Sequence, residues 1–139
     1  MDILEFRGET RWLSNFEEAK VMLDGTMYPT VEHAYQAAKT INMAERAAIK
    51  ACKTPAEAKK MGMTVTLRED WEDIKLGVMM KLNLMKFKLH PELKAKLLAT
   101  GDAHLEEGNH WGDTFWGTVD GVGKNHLGKI LMEVRRMLK

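Results

Sequence analysis

Apolar residues form short strand-like runs near the N-terminus and recur at helical spacing through most of the remaining chain. Residues 2–6 (DILEF) and 20–28 (KVMLDGTMY) read as short strands, the second turning at Asp24-Gly25, a hairpin-type dipeptide. Between them RWLSNF reads as a loop with an aromatic near each end. Thr30 offers an N-cap, and a helical segment is expected from there to about Asn42, followed directly by a second over AERAAIKACK. TPAEAKKMG carries a full set of helix signals: Thr54 as cap, Pro55 in the first turn, Glu57 as reciprocal capping partner and Gly62 as the stop. The longest helix is expected from Trp71 to His90. Trp71, Ile74, Val78, Leu82, Met85 and Leu89 form one stripe and Leu76, Met80, Leu84 and Phe87 a second beside it, so the helix reads as central and largely buried. Pro91 opens another helix that Gly101 closes. HLEEGNHWGDTFWG, rich in glycine and aromatics, reads as strand plus loop. A last helix from about Asn125 turns Leu127, Ile130, Leu131, Val134 and Leu138 inward. The class implied is mainly helical with a small sheet.

Composition sets limits on this outline. With 139 residues and 45% hydrophobic side chains, the chain suits one domain with one core. Its 21 basic and 20 acidic residues leave a formal charge of +1, so no global field draws in nucleic acid. A local patch of Lys59, Lys60, Arg135, Arg136 and Lys139 could still do so, or those residues are simply solvated. Cys52 is the single cysteine, which excludes an intrachain disulfide and fits a reducing compartment. No run of about 18 apolar residues occurs and the N-terminus lacks a signal-peptide layout. A cytoplasmic protein is expected, with no membrane contact and no obligate protein partner.

Candidate chemistry begins with what is missing. The five histidines are scattered, none in HExxH form, and no metal site or cofactor is implied. GKNHLGKI satisfies G-x-x-x-x-G-K, but Ile130 stands where a magnesium-holding hydroxyl is needed, so it fails as a nucleotide-hydrolase loop. Its glycines and Asn125 at a helix start beside Lys129 either cradle an anion or form a capped turn. In HWGDTFWG, Trp111, Phe115 and Trp116 surround Asp113. Such rings stack on flat heterocycles, or they are core and Asp113 caps a turn. Trp71 poses the same choice, with core favoured because it begins the long helix's stripe.

The stretch TVEHAYQAAK is the sharpest. Glu32, Tyr35, Gln36 and Lys39 lie at i, i+3, i+4 and i+7, one face of a helix. A solvated stripe would be ordinary, yet the rest of this helix offers little but His33, Ala34, Ala37, Ala38 and Thr40 to bury. Packing through alanines, with the polar face in a cavity, would anchor it better.

The blocks LSNF, DGTMYPTVEHAYQAAK, TPAEAKKMG, REDW, the KF of LMKFK, LLATGD, GDTFWG and GKNHLGKILMEVR, in order from about Leu13 to Arg135, resemble the NADAR (YbiA-like) family. That resemblance implies a single α+β domain over residues 1–139, mainly helical with a small β-sheet. It implies N-glycosidase activity, hydrolysis of the bond between a ribosyl anomeric carbon and a nitrogen. The substrate classes implied are ribosylaminopyrimidine phosphates of riboflavin synthesis, or ADP-ribose on guanine bases, free or within nucleic acid. A non-catalytic ADP-ribose or nucleotide-binding module is the alternative. By resemblance, Glu32 and Asp113 are the acids and Lys39 is the covalent lysine, with Lys86 and Lys129 as substitutes for Lys39. Asn15, Tyr35, Gln36, Trp71, Trp116, Gly117, Asn125 and Lys129 are expected to bind substrate. Because no ligand set for zinc or magnesium exists in the sequence, turnover is expected to survive EDTA. Loss of turnover in the chelator, restored by a divalent ion, would overturn that expectation.

Overall fold

In the computed structural model, which describes residues 1–139, the class is α+β: six α-helices, one 3₁₀ turn and a two-stranded sheet. The chain divides into two compact units, residues 15–89 and residues 1–14 with 90–139. No helix is long and apolar enough to cross a membrane.

In the unit of residues 15–89, β1 (Val21–Leu23) pairs antiparallel with β2 (Thr26–Tyr28), Val21 opposite Tyr28. Asp24 (φ 47°) and Gly25 (φ 83°) form the connection, both left-handed as a two-residue hairpin of matching twist requires. Helix α1 follows over Val31–Ala38, capped by the Thr30 hydroxyl, which accepts from the His33 amide at 3.0 Å. Every residue of α1 is buried, against α2 (Met43–Lys50), α3 (Pro55–Gly62), α4 (Trp71–Leu89) and both strands. Ala34, Ala37 and Ala38 are essentially inaccessible, so small side chains let three helices and both strands close on one short helix. The helix stops earlier than its pattern suggested. The Lys39 carbonyl accepts from the Arg68 amide at 2.8 Å, and the Asn42 side chain already caps α2.

Two expectations for this unit need correction. Gly62 does not stop α3 through a left-handed turn: it is the helix's last residue, and Met63 caps it in ordinary right-handed geometry. The expected stripes of α4 are buried only in part, at Trp71, Leu82 and Phe87. Leu76 and Leu89 are exposed, whereas Asn83 and Lys86 are fully buried beside Met79, Leu82 and Phe87. A polar pair at i, i+3 thus occupies what hydrophobic periodicity alone assigns to apolar side chains.

In the other unit, Gly8–Leu13 forms a 3₁₀ turn where RWLSNF was expected to be plain loop. Residues 2–6 do not form a strand. Ile3 makes an isolated parallel bridge to Leu105, and Gly108 another to Thr118, so residues 104–118 are an extended loop rather than strand plus loop. Helix α5 (Pro91–Ala99) ends before Gly101 (φ 61°), and α6 (His126–Leu138) buries Leu127, Ile130, Leu131 and Val134, though Leu138 is only half-buried.

Candidate active site

Within α1 the polar stripe is buried, not solvated. Glu32, Tyr35 and Gln36 are 7%, 6% and 4% exposed, and Lys39 at the helix end is half-buried. The Gln36 amide donates to Glu32 Oε2 at 2.6 Å, the i, i+4 geometry of a helix face turned into an internal clamp. The Glu32 amide donates to the Asn15 carbonyl at 3.1 Å, tying the start of α1 to the preceding loop. Placed in the first turn, the Glu32 carboxylate also lies at the positive end of the helix dipole.

Seven residues on, burial pushes the Lys39 amine below its ordinary pKa. The Glu32 carboxylate pulls it back up, and the charges of Lys59 and Lys75 push it down again. Lys59 is exposed on α3, yet its charge reaches the Lys39 amine. The Lys39 Nζ stands 5.8 Å from the centre of the Tyr35 ring. That ring packs on Trp71 with centroids 5.1 Å apart and planes tilted by 59°. Trp71, 4% exposed, thus begins α4 as core and simultaneously walls the face that carries Lys39.

Gln36 is held from behind by Gly62. A Cβ on Gly62 would lie 1.9 Å from Gln36 Oε1 and 2.6 Å from its Cδ, so α3 reaches α1 at this point only with glycine. Replacing Gly62 by alanine is expected to destabilise the fold by about 1–3 kcal/mol through overpacking. On an open helix face the same exchange would stabilise by about 0.5–1 kcal/mol. Turnover should fall as well, because Gln36 cannot move without releasing Glu32. A melting temperature equal to or above the parent's would contradict this.

Asn15, 8% exposed, faces Asn83: Asn83 Nδ2 is 3.4 Å from Asn15 Oδ1 and donates to the Met79 carbonyl at 3.1 Å. Asn83 Oδ1 is buried without a hydrogen-bond partner, as is Gln36 Oε1. Asn83 and Lys75 escaped sequence reasoning. The signal for Asn83 was its place with Lys86 inside an otherwise apolar run. Lys75 has no distinguishing pattern and is found only by its neighbours. Burial raises the pKa of the Cys52 thiol, and the nearby Glu57 adds to that.

Asp113, Trp116, Gly117, Asn125 and Lys129 belong to the other unit. Asp113 Oδ1 accepts from the amides of Phe115 (3.0 Å) and Trp116 (2.9 Å), so this carboxylate organises the turn that carries the aromatics. Phe115 meets Trp116 edge-on at 4.8 Å and His126 at 4.6 Å. Gly117 permits a close approach, since a Cβ there would sit 2.0 Å from the Glu107 carbonyl oxygen. The Asn125 side chain is engaged at both ends, accepting from the Glu107 amide at 3.0 Å and donating to the Leu105 carbonyl at 3.0 Å. Lys129 is exposed on α6.

An anion cradle at GKNHLGKI is not formed. The amides of Lys124, Asn125, His126 and Leu127 all donate to carbonyls of the aromatic loop, those of Thr114, Gly117, Phe115 and Trp116. With those donors consumed, the segment is a turn clamped to the loop before it. Nowhere do three or more His, Cys, Asp or Glu side chains gather to hold a metal ion.

Residues 5–139 match the NADAR domain family. The chain is 41% identical over 128 residues to the N-glycosidase YbiA of Shigella boydii, covering 90% of this chain and 79% of that protein. It is 37% identical over 131 residues to a riboflavin biosynthesis protein of Vibrio vulnificus, covering 92% of this chain and 35% of the longer relative. The NMR structure of the Escherichia coli protein YbiA superimposes with a TM-score of 0.86 at 38% identity, covering 99% of this chain and 83% of that one.

Proposed function

The chain belongs to the NADAR domain family and is an N-glycosidase, and we propose that it hydrolyses the C1′–N bond of a ribosylaminopyrimidine phosphate, with Glu32 and Lys39 at the reacting carbon. One observation carries this reading: a buried carboxylate and a half-buried amine of lowered pKa share one face of α1, within electrostatic reach of each other. Departure of a nitrogen from C1′ builds positive charge on the sugar, which a fixed carboxylate in a poorly solvated position stabilises. Gln36 holds that carboxylate at a single orientation.

Lys39 supplies the nucleophile. Its neutral amine attacks C1′, the C1′–N bond breaks with its electron pair leaving on the substrate nitrogen, and the proton shed by the lysine nitrogen is the one the departing nitrogen takes up. Opening of the ring gives an imine, and water hydrolyses it to the free sugar phosphate and the regenerated amine. Lys39 suits this better than the alternatives. Lys86 is fully buried, with no path to solvent for an incoming sugar, and Lys129 is exposed on α6, away from Glu32 in the chain's other unit. Asp113 is left as the clamp of its turn.

The riboflavin biosynthesis protein of Vibrio vulnificus supports a pyrimidine riboside phosphate as substrate. A net charge of +1 suits a free metabolite over an extended nucleic acid. The test is to offer the purified protein ribosylaminopyrimidine phosphates and ADP-ribosylated guanine in parallel and follow release of base or sugar. Release from the first supports this reading. Release from ADP-ribosylated guanine alone would replace the substrate, and release from neither would overturn it.

A further inference from the structure

Asn42 and Glu45 stand at the N-cap and third position of α2, the spacing of a capping box, in which the glutamate reaches back to the N-cap amide. Half of that box is made: the Asn42 side chain accepts from the Glu45 amide at 3.0 Å. The other half is diverted. The Asn42 amide donates to the Thr40 hydroxyl at 3.0 Å, and the Glu45 carboxylate turns away from its own helix. Glu45 Oε1 accepts from the Thr40 hydroxyl at 2.6 Å, and the two carboxylate oxygens accept from the Thr66 amide at 3.0 and 3.2 Å. Oε2 also accepts from the Thr66 hydroxyl at 3.1 Å. A glutamate that leaves its local task for a partner 21 residues away serves the tertiary structure.

The two segments it joins are those that hold Lys39. Thr40 follows Lys39 directly and is fully buried, its carbonyl accepting from Arg46 Nε at 2.7 Å. Thr66 stands two residues before Arg68, whose amide donates to the Lys39 carbonyl at 2.8 Å. Residues 66–68 have no regular structure, so long-range ties set their position. The Lys39 carbonyl is one of the orphan acceptors at the end of α1, and no left-handed residue follows to close that helix. Where the last turn frays, the Lys39 side chain loses its fixed origin. We propose that Glu45 is a positioning residue for Lys39: its carboxylate staples Thr40 to Thr66 and so fixes the helix end from which the amine reaches the anomeric carbon. The proposal rests on the reading of Lys39 as nucleophile. Glu45 acts through the backbone around Lys39 and is not itself a reacting group.

Glu45→Ala, Glu45→Gln and Thr66→Val test this by kinetics and by labelling of Lys39 with acetic anhydride across pH, mapped by mass spectrometry. Glu45→Ala should lower kcat by about ten- to a hundredfold with KM within about twofold of the parent, since a misplaced nucleophile costs chemistry rather than binding. Its Lys39 labelling curve should move to higher pH, because a loosened helix end admits water to the amine. Glu45→Gln keeps an acceptor for Thr66 and an amide for the Thr40 hydroxyl, and should recover most of kcat. Thr66 is exposed and Thr66→Val leaves its backbone bond in place, so this variant keeps the fold and should lose roughly threefold in kcat. Parental kcat with an unmoved labelling curve in folded Glu45→Ala, or in Thr66→Val where the alanine variant does not fold, would reduce Glu45 to a stabiliser of the fold and overturn the proposal. A moved labelling curve with parental kcat would keep the hold on Lys39 and remove that amine from the reaction.

Discussion

Glu32→Gln is expected to lower kcat by about two to three orders of magnitude while substrate affinity changes little. The amide retains the shape of the carboxylate and can still meet Gln36. What it lacks is the negative charge, which matters most when the sugar becomes cationic. The position amplifies the effect, because Glu32 is nearly inaccessible and water cannot supply a substitute charge. The exchange also removes the influence that raises the Lys39 pKa, so the residual activity should have its pH profile displaced to lower pH. A variant with parental kcat would assign the electrostatic role to another group.

Lys39→Ala is expected to lose activity on the order of a thousandfold or more, as removal of a nucleophile does. The parent's pH dependence supplies a second readout. Only the neutral amine attacks, so kcat/KM should rise with pH and level off above the Lys39 pKa. Burial places that limb below the range of an ordinary lysine, and the neighbouring lysines push it in the same direction. Lys59→Gln removes one of those charges and should move the limb upward, opposite in sign to Glu32→Gln. A limb insensitive to both substitutions would separate the titrating group from Lys39.

Much of this was legible in the sequence, for identifiable reasons. The hairpin at Asp24-Gly25 and the caps at Thr30 and Thr54 follow from local chemistry that tertiary packing reinforces. The burial of Glu32 and Gln36 was foreshadowed by the alanines around them, which leave α1 few larger side chains to pack. Long-range approaches were not legible. The role of Gly62 depends on Gln36 across an interhelical contact, and a helix-stop rule assigned it a local task instead. Periodicity alone treated α4 as an apolar rod and hid Asn83, because only the fold shows that Asn15 comes to meet it. At residues 123–129, the glycines suggested donors for an anion, but those amides are spent on the aromatic loop. The family was legible in blocks spread over the whole chain, and the role proposed for Lys39 rests on its burial and charged neighbours.

The most direct test is reductive trapping. Borohydride added during turnover of a ribosylaminopyrimidine phosphate should convert the imine to a stable secondary amine, fixing one sugar phosphate per chain on the peptide that contains Lys39. The adduct should be absent from Lys39→Ala and should persist, at reduced yield, in Lys59→Gln. An adduct mapped to Lys86 or Lys129, or complete absence of adduct in a protein that turns over normally, would contradict the account.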